Sequence, residues 1–253
     1  MKITFLGTGT SQGVPVIGCD CEVCTSLDFR DKRLRSSIHL SVDGKSFVID
    51  TGPDFRQQML RENIRRLDAV IFTHGHKDHT AGLDDVRAYN YLQNMDMPVY
   101  GQRNLLEQLK VEFFYAFEPK KYPGIPQLSL IEIKDTPFEI AGVTFIPLPV
   151  HHLNMEVLGF RVNDFSYITD ANSIPDETIQ RLKGTQILVL NALQRHKHIS
   201  HFNLEEATQM AQRIGAQQTY FIHMSHKLGL HKQVNNELPD SIALAYDGLS
   251  VNL

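Results

Sequence analysis

The segment Thr73-His74-Gly75-His76-Lys77-Asp78-His79-Thr80-Ala81-Gly82-Leu83 places four metal-competent side chains, His74, His76, Asp78 and His79, within six positions. It follows directly on Asp68-Ala69-Val70-Ile71-Phe72, an apolar run of strand length. A regular helix would put His74 and His76 on different faces, because residues two apart do not share one. A loop leaving the end of a buried strand can bring them together. Imidazole and carboxylate in combination suit Zn, Fe, Mn or similar ions. The bland alternative is a solvated polar loop. It would account for a lone histidine, but poorly for His-x-His-x-Asp-His set between an apolar strand and Gly-Leu.

The rest of the chain has to build a scaffold for that loop. With 253 residues, 42% hydrophobic and 21% charged, it has material for a sizeable core in one large domain or two small ones. Strands are predicted at Ile3–Leu6, at a hairpin of Ser37–Val42 and Phe47–Asp50 turning at Asp43-Gly44, and at Ala69–Thr73. Helices are predicted over Asp54–Glu62, Leu83–Leu92 and Asn104–Phe114. The second half repeats the theme. Val143–Pro147, Val157–Val162, Phe165–Thr169, Ile187–Leu190 and Thr219–Ile222 read as strands, and Pro175–Leu182 as a helix. Asn203 opens another helix, with Glu206 three residues on as a capping box and Leu204, Ala207, Met210, Ala211 and Ile214 as its apolar stripe. The Pro/Gly-rich stretch Lys121-Tyr122-Pro123-Gly124-Ile125-Pro126 reads as a loop between two halves. Strands inside and helices outside imply layers in the order helix, sheet, sheet, helix.

His74-x-His76-x-Asp78-His79 resembles the signature of the metallo-β-lactamase superfamily. The resemblance implies an α/β, four-layered αββα sandwich forming one domain over 1–253, with two pseudo-symmetric halves meeting near 121–130. It also implies a downstream His, Asp and His, each at a strand end. The chain offers Pro147-Leu148-Pro149-Val150-His151-His152, Tyr167-Ile168-Thr169-Asp170 and Tyr220-Phe221-Ile222-His223. Neighbours in an extended segment point apart, so one of His151 and His152 is the ligand. With Gly159-Phe160 following, His152 is the choice and His151 the alternative, left to support or to solvent. By resemblance His74, His76 and His152 hold one divalent ion, Asp78, His79 and His223 the other, and Asp170 bridges them. Asp50-Thr51-Gly52 resembles the early aspartate motif that supports the ligands from behind. Two such ions, Mn or Zn, would share a hydroxide and clamp an in-line displacement.

All three cysteines fall in Cys19-x-Cys21-x-x-Cys24. An odd, tightly spaced set does not read as a secreted disulfide framework. Structural zinc takes four soft ligands, and His226, three residues after His223, is a candidate for the fourth. The opening Leu6-Gly7-Thr8-Gly9-Thr10-Ser11-Gln12-Gly13-Val14-Pro15 followed by this cluster is similar to PhnP-type phosphodiesterases, which hydrolyse a phosphoribosyl 1,2-cyclic phosphate. There, three Cys and one His bind a structural zinc at positions matching Cys19, Cys21, Cys24 and His226. The glycine spacing is G-x-G-x-x-x-G with no helix pattern after it, so a dinucleotide loop is rejected.

His196-Lys197-His198-Ile199-Ser200-His201 precedes the Asn203 helix. The resemblance implies that His201 faces the phosphate, as an imidazolium stabilising charge or as general acid, with Asp78 orienting or deprotonating water besides ligating metal. His196 and His198 read as solvated, and His39 and His231 as structural. The function expected is hydrolysis of a small phosphodiester by a dinuclear metal-activated hydroxide. The rivals are an RNase Z-like tRNA 3′-processing endonuclease and a non-hydrolytic metal-binding protein related to the pyrroloquinoline quinone pathway factor. The formal net charge of −4 argues against long nucleic acid. No run suits a membrane span, and the N-terminus reads as a strand rather than a signal peptide, so a cytoplasmic enzyme is expected, with a homodimer open.

Overall fold

The computed structural model describes residues 1–119 and 122–253. Of the expected central loop, Lys121 lies outside the described residues, and 122–126 is turn and irregular chain. The strands in chain order are β1 (Lys2–Gly7), β2 (Ser37–Val42), β3 (Lys45–Ile49), β4 (Ala69–Ile71), β5 (Met97–Gly101), β6 (Leu128–Glu132), β7 (Phe138–Ile140), β8 (Val143–His152), β9 (Met155–Val162), β10 (Phe165–Tyr167), β11 (Ile187–Asn191), β12 (Gln218–Ile222), β13 (Ile242–Leu244) and β14 (Ser250–Asn252). They form two seven-stranded mixed sheets, ordered β14-β1-β2-β3-β4-β5-β6 and β13-β12-β11-β10-β9-β8-β7. The helices are α1 (Glu22–Thr25), α2 (Phe55–Arg61), α3 (Lys77–Thr80), α4 (Arg87–Gln93), α5 (Arg103–Glu112), α6 (Asp176–Arg181), α7 (Leu204–Ile214) and α8 (His231–Asn235).

Side-chain alternation along the central strands explains the layering. Phe47 and Ile49 of β3 and Ala69 and Ile71 of β4 enter the core between the sheets, where they meet Phe145, Phe160 and Val189. Their neighbours Val48 and Val70 turn outward onto Phe55 of α2 and Leu105 and Leu109 of α5. On β11, Ile187 and Val189 face the other sheet, and Leu188 and Leu190 pack on Ala207 and Ala211 of α7. A strand buried on both faces therefore reads as a continuous apolar run. Helices on the outer face of each sheet complete the four-layered metallo-β-lactamase sandwich.

Three differences from the sequence expectations have physical causes. Strands β5, β6, β7 and β14 carry Pro, Gly or polar residues and β13 is only three residues long, so pairing with neighbours decides them more than intrinsic preference. The single helix expected over Leu83–Leu92 is a 3₁₀ turn, Leu83–Val86, leading into α4, which stops at Asn94 in the left-handed region (φ 50°). β8 runs past Pro147 to His152, because β9 pairs with it residue by residue as far as His152↔Met155. Among the described residues no helix is long and apolar enough to cross a membrane.

Candidate metal centre

The histidines and aspartates gather where strands of both sheets end. Asp50 follows β3, His74 and His76 follow β4, His152 ends β8, Asp170 follows β10 and His223 follows β12. Three of these residues turn out of their strands in the left-handed region, Asp50 at φ 65°, Asp170 at 57° and His223 at 56°. That conformation costs a non-glycine residue on the order of 1–3 kcal/mol, and it collects where structure serves a site. The bend swings each side chain off the sheet into the cleft between the sheets. Asp78 and His79 sit on the helical turn α3 rather than on open loop, and that turn is docked onto the Asp50 loop. Thr51 N donates to His79 O at 2.8 Å and Gly82 N to Thr51 O at 2.8 Å. Gly52 permits the approach, since a Cβ there would strike the carbonyl of Asp78.

Hydrogen bonds fix which nitrogen His79, His74 and His152 present. Asp50, wholly buried, accepts from Thr73 N (2.9 Å), from Thr73 Oγ1 (2.8 Å) and from His79 Nδ1 (2.7 Å). His79 is thereby held with Nε2 toward Asp78 and Asp170. Thr73 Oγ1 gives its proton to Asp50, so it accepts from His74 Nδ1 at 3.0 Å and leaves His74 Nε2 facing the cleft. His152 Nδ1 donates to Ser200 O at 2.9 Å. His152 is buried and His151 exposed, so the extended backbone separates them as it must.

The donor atoms converge in overlapping groups: Asp78, His79, Asp170 and His223; His74, His76 and Asp170; and His152, Asp170 and His201. The donors within each group lie within 4.8 Å of one another. Asp170 is common to all three. Rings of His74 and His76 also lie 5.8 and 5.2 Å from that of His152, centre to centre.

These donors fit divalent cations on two counts. His79 Nε2 and both nitrogens of His223 are buried without a hydrogen-bond partner, and such orphans are costly unless something outside the chain satisfies them. The His223 and His79 Nε2 atoms sit 3.2 and 3.4 Å from Asp170 Oδ1, close but not aligned to bond it. The second count is charge. Burial pushes the Asp170 carboxyl up, yet the imidazoles of His223 and His79 outweigh it and hold it well below the usual range. Asp78 is likewise held low, burial being overcome by the neighbouring imidazoles of His79 and His223. Burial lowers His79, but Asp170, Asp50 and Asp78 around it raise it well above its ordinary value. So many carboxylates in a buried cleft call for positive charge.

His201 is buried above the same cleft, its Nε2 3.3 Å from Asp170 Oδ2 and its ring stacked 4.9 Å from His223. Burial carries its imidazole down to about 4, against the pull of Asp170. His196 and His198 are exposed, but His198 Nδ1 reaches 3.3 Å from His201 Nδ1, a contact the sequence did not suggest. His39 bonds Ser46 at 2.8 Å, away from the cleft. The sequence reading also missed Ser200 as the partner of His152, because a main-chain carbonyl carries no sequence signal.

A second cluster lies where the loops that follow β1 and β12 meet. Sγ of Cys19, Cys21 and Cys24 stand 3.3, 3.4 and 3.6 Å from His226 Nδ1. Tetrahedral Zn with ordinary bond lengths separates S and N ligands by roughly 3.6 Å, so this donor set fits it. The two loops are also joined without the cysteines. Wholly buried Arg33 pairs with Asp31 (3.2 Å) and donates to Ser225 O (3.2 Å), while Asp31 accepts from His231 N (2.8 Å).

Residues 45–224 match the family model described as a beta-lactamase superfamily domain. An octanoyltransferase of Porphyromonas gingivalis is 41% identical over 98% of this chain and 51% of its own length. A coenzyme PQQ synthesis protein B of Methylobacterium radiotolerans is 32% identical over 62% of this chain and 57% of its own. The chain thus spans about half the length of these curated relatives. Among solved structures, a diphosphatase from the PhnP family superposes with TM-score 0.93 at 42% identity, covering 100% of this chain and 97% of that one. Zinc-bound PqqB from Methylobacterium extorquens shares the fold at TM-score 0.80 and 19% identity, covering 100% of both chains. A family model over most of the sequence, and a near-complete match to a PhnP-family structure, carry one conclusion: the chain belongs to the metallo-β-lactamase superfamily and is PhnP-like.

Proposed function

We propose that the protein is a dinuclear metal-dependent phosphodiesterase acting on a small substrate, with His74, His76 and His152 binding one divalent ion, Asp78, His79 and His223 the other, and Asp170 shared between them. The observation that carries this reading is the position of Asp170, whose carboxylate belongs to every donor group in the cleft and whose two oxygens can serve two ions. Bound cations, Mn or Zn, would supply Lewis acidity, acidifying water and neutralising the oxygens of a phosphoryl group. In this reading the chain's own groups do the rest. Asp50 and Thr73 hold His79 and His74 in the ligating tautomer, and Asp78 orients or deprotonates the attacking water. His201 meets the phosphoryl group from the opposite side. An anionic phosphoryl beside it raises its proton affinity, so it can deliver a proton to the departing alkoxide. The 42% identical PhnP-family neighbour is a diphosphatase, which extends the substrates worth testing to P–O–P linkages.

Cys19, Cys21, Cys24 and His226 are proposed to hold one structural zinc. The net charge of −4 favours a small diester over a polynucleotide.

The test is turnover of bis(4-nitrophenyl) phosphate and of a nucleoside diphosphate ester by protein reconstituted with defined metals. His201→Ala is expected to lower kcat by about 10²–10⁴ while retaining the metals. Full turnover in that variant would remove His201 from the mechanism. Absence of activity with every metal would refute the assignment.

A further inference from the structure

A cavity of about 320 Å³ opens directly beside the candidate centre, and His74 and His76 form part of its wall. Its other walls come from α5 and its preceding residue (Gln102, Asn104, Gln108) and from the start of β9 (Met155, Glu156). A phosphodiester carries two ester arms. Because the cavity shares residues with the centre, a substrate seated there has one arm within reach of it.

The polar groups around this space are unequally free. Lys77, the cation of the lining, is bound to Glu112 (2.7 Å). Gln108 spends its amide on Gly75 O (2.6 Å) and Glu112 (2.8 Å). Glu156 is held by Gln102 Nε2 at 3.1 Å, which orients the carboxylate without neutralising it. Among the described residues no cation pairs with Glu156. A second hollow shares Gln102, Asn104, Met155 and Glu156 with the first and continues past Glu107 and Glu132. The cations along that stretch are engaged, Arg103 with Glu132 (3.2 Å) and Lys110 with Glu107 (2.8 Å). The uncommitted charge of the whole groove is therefore negative, and it is an acceptor. An acceptor takes N–H or O–H donors and repels a further anion.

We propose that this groove receives the ester arm of the substrate that is donor-bearing and not anionic, and that Glu156 is the specificity-determining residue. This rests on the phosphodiesterase reading above. It orients the substrate: a second phosphate or carboxylate is kept off the His76 side, and a polynucleotide strand, with one anion per residue, is refused there. Met155 and the buried Leu105 give the arm an apolar wall, while the carboxylate sets its charge.

The experiment compares kcat/KM of the metal-reconstituted protein for three 4-nitrophenyl phosphodiesters whose second arm is 2-aminoethyl, ethyl or 2-carboxyethyl. The aminoethyl ester is expected to exceed the carboxyethyl ester by tenfold or more, mainly through KM. Glu156→Gln should bring that ratio to within about threefold, and Glu156→Lys should invert it. A ratio unchanged in both variants overturns the proposal. A merely structural role for Glu156 would lower all three substrates together, and that outcome overturns it as well. If the wild type turns over none of the three, the phosphodiesterase reading falls, and the groove is judged by calorimetry with phosphoethanolamine and 2-carboxyethyl phosphate. Tighter binding of the amine, lost in Glu156→Gln, sustains the groove, and equal affinities overturn it.

Discussion

At the scale of single residues, the cleft depends on where polar groups are permitted below the surface. Asp50 shows the logic: it touches no solvent, satisfies its oxygens with Thr73 and His79, and so decides which nitrogen of His79 is free. His39 shows what a buried histidine costs outside the cleft. It donates to Ser46 Oγ, whose own proton goes to Arg66 O (2.6 Å). Burial, aided by Lys2, carries its imidazole down to about 4, from an ordinary 6.5. Between those values the unfolded chain binds a proton at His39 that the folded chain refuses, so stability falls as pH drops through the window and is level above it. His231 moves the same way, to about 4, and Asp247, pushed up to about 6 by burial, moves oppositely; both are common to wild type and a His39 variant. Relative to His39→Gln, the wild type should lose about 2.5 kcal/mol more between pH 7 and pH 4.5. Urea midpoints at the two pH values measure it, and an equal loss in both proteins would show that His39 is not the acid-sensitive group.

Among the elements, α7 links sequence to site most directly. Its capping box is complete: Asn203 Oδ1 accepts from Glu206 N at 2.8 Å and Asn203 N donates to Glu206 Oε2 at 3.1 Å. The apolar stripe behind it seats the helix on β11, with Ala207 and Ala211 buried. His201 stands two positions upstream of this cap, where the helix entrance can position it. Asn203→Ala should cost about 1 kcal/mol, a fall in Tm of about 2–4 °C for a chain of this size. The proposed phosphodiesterase activity should fall by more than the small change in folded fraction explains. Calorimetry together with kcat checks this, and a lower Tm at unchanged kcat would mean that the helix entrance does not position His201. By contrast α3, only one turn long, owes its existence to the backbone bonds that dock it on the Asp50 loop.

Across the whole molecule, the cleft is a seam between two sheets. Leu158 N of β9 donates to Thr73 O beside β4 at 3.1 Å, and Met224 N, after β12, donates to Thr8 O, after β1, at 2.9 Å. Opening the sandwich would pull the donor groups apart. If a zinc joins Cys19, Cys21, Cys24 and His226, it stands beside the buried Arg33–Asp31 pair as a second tie between the same loops. Mild chelation should then abolish turnover while one zinc per chain remains. Cys21→Ser should lose that zinc and lower Tm by more than about 5 °C. Metal analysis and calorimetry read both, and a Cys21→Ser protein that kept its zinc would exclude the cluster as the binding site.

The sequence by itself determined the layers and the chemistry on offer. Apolar runs that must be buried on both faces specify central strands, the Asn203–Glu206 pair specifies a helix start, and the spacing of His74 and His76 after such a strand specifies a loop on which they converge; all of these are local patterns. Only the tertiary structure decided which of these groups meet. The left-handed bends at Asp50, Asp170 and His223 are strained, and the preference of Asp and His for that region is too weak to locate them, so they persist only where packing holds them. The minor strands, the docking of α3 and the groove at Glu156 depend equally on partners distant in the chain, because a contact across a hundred residues leaves no trace in the spacing of either side.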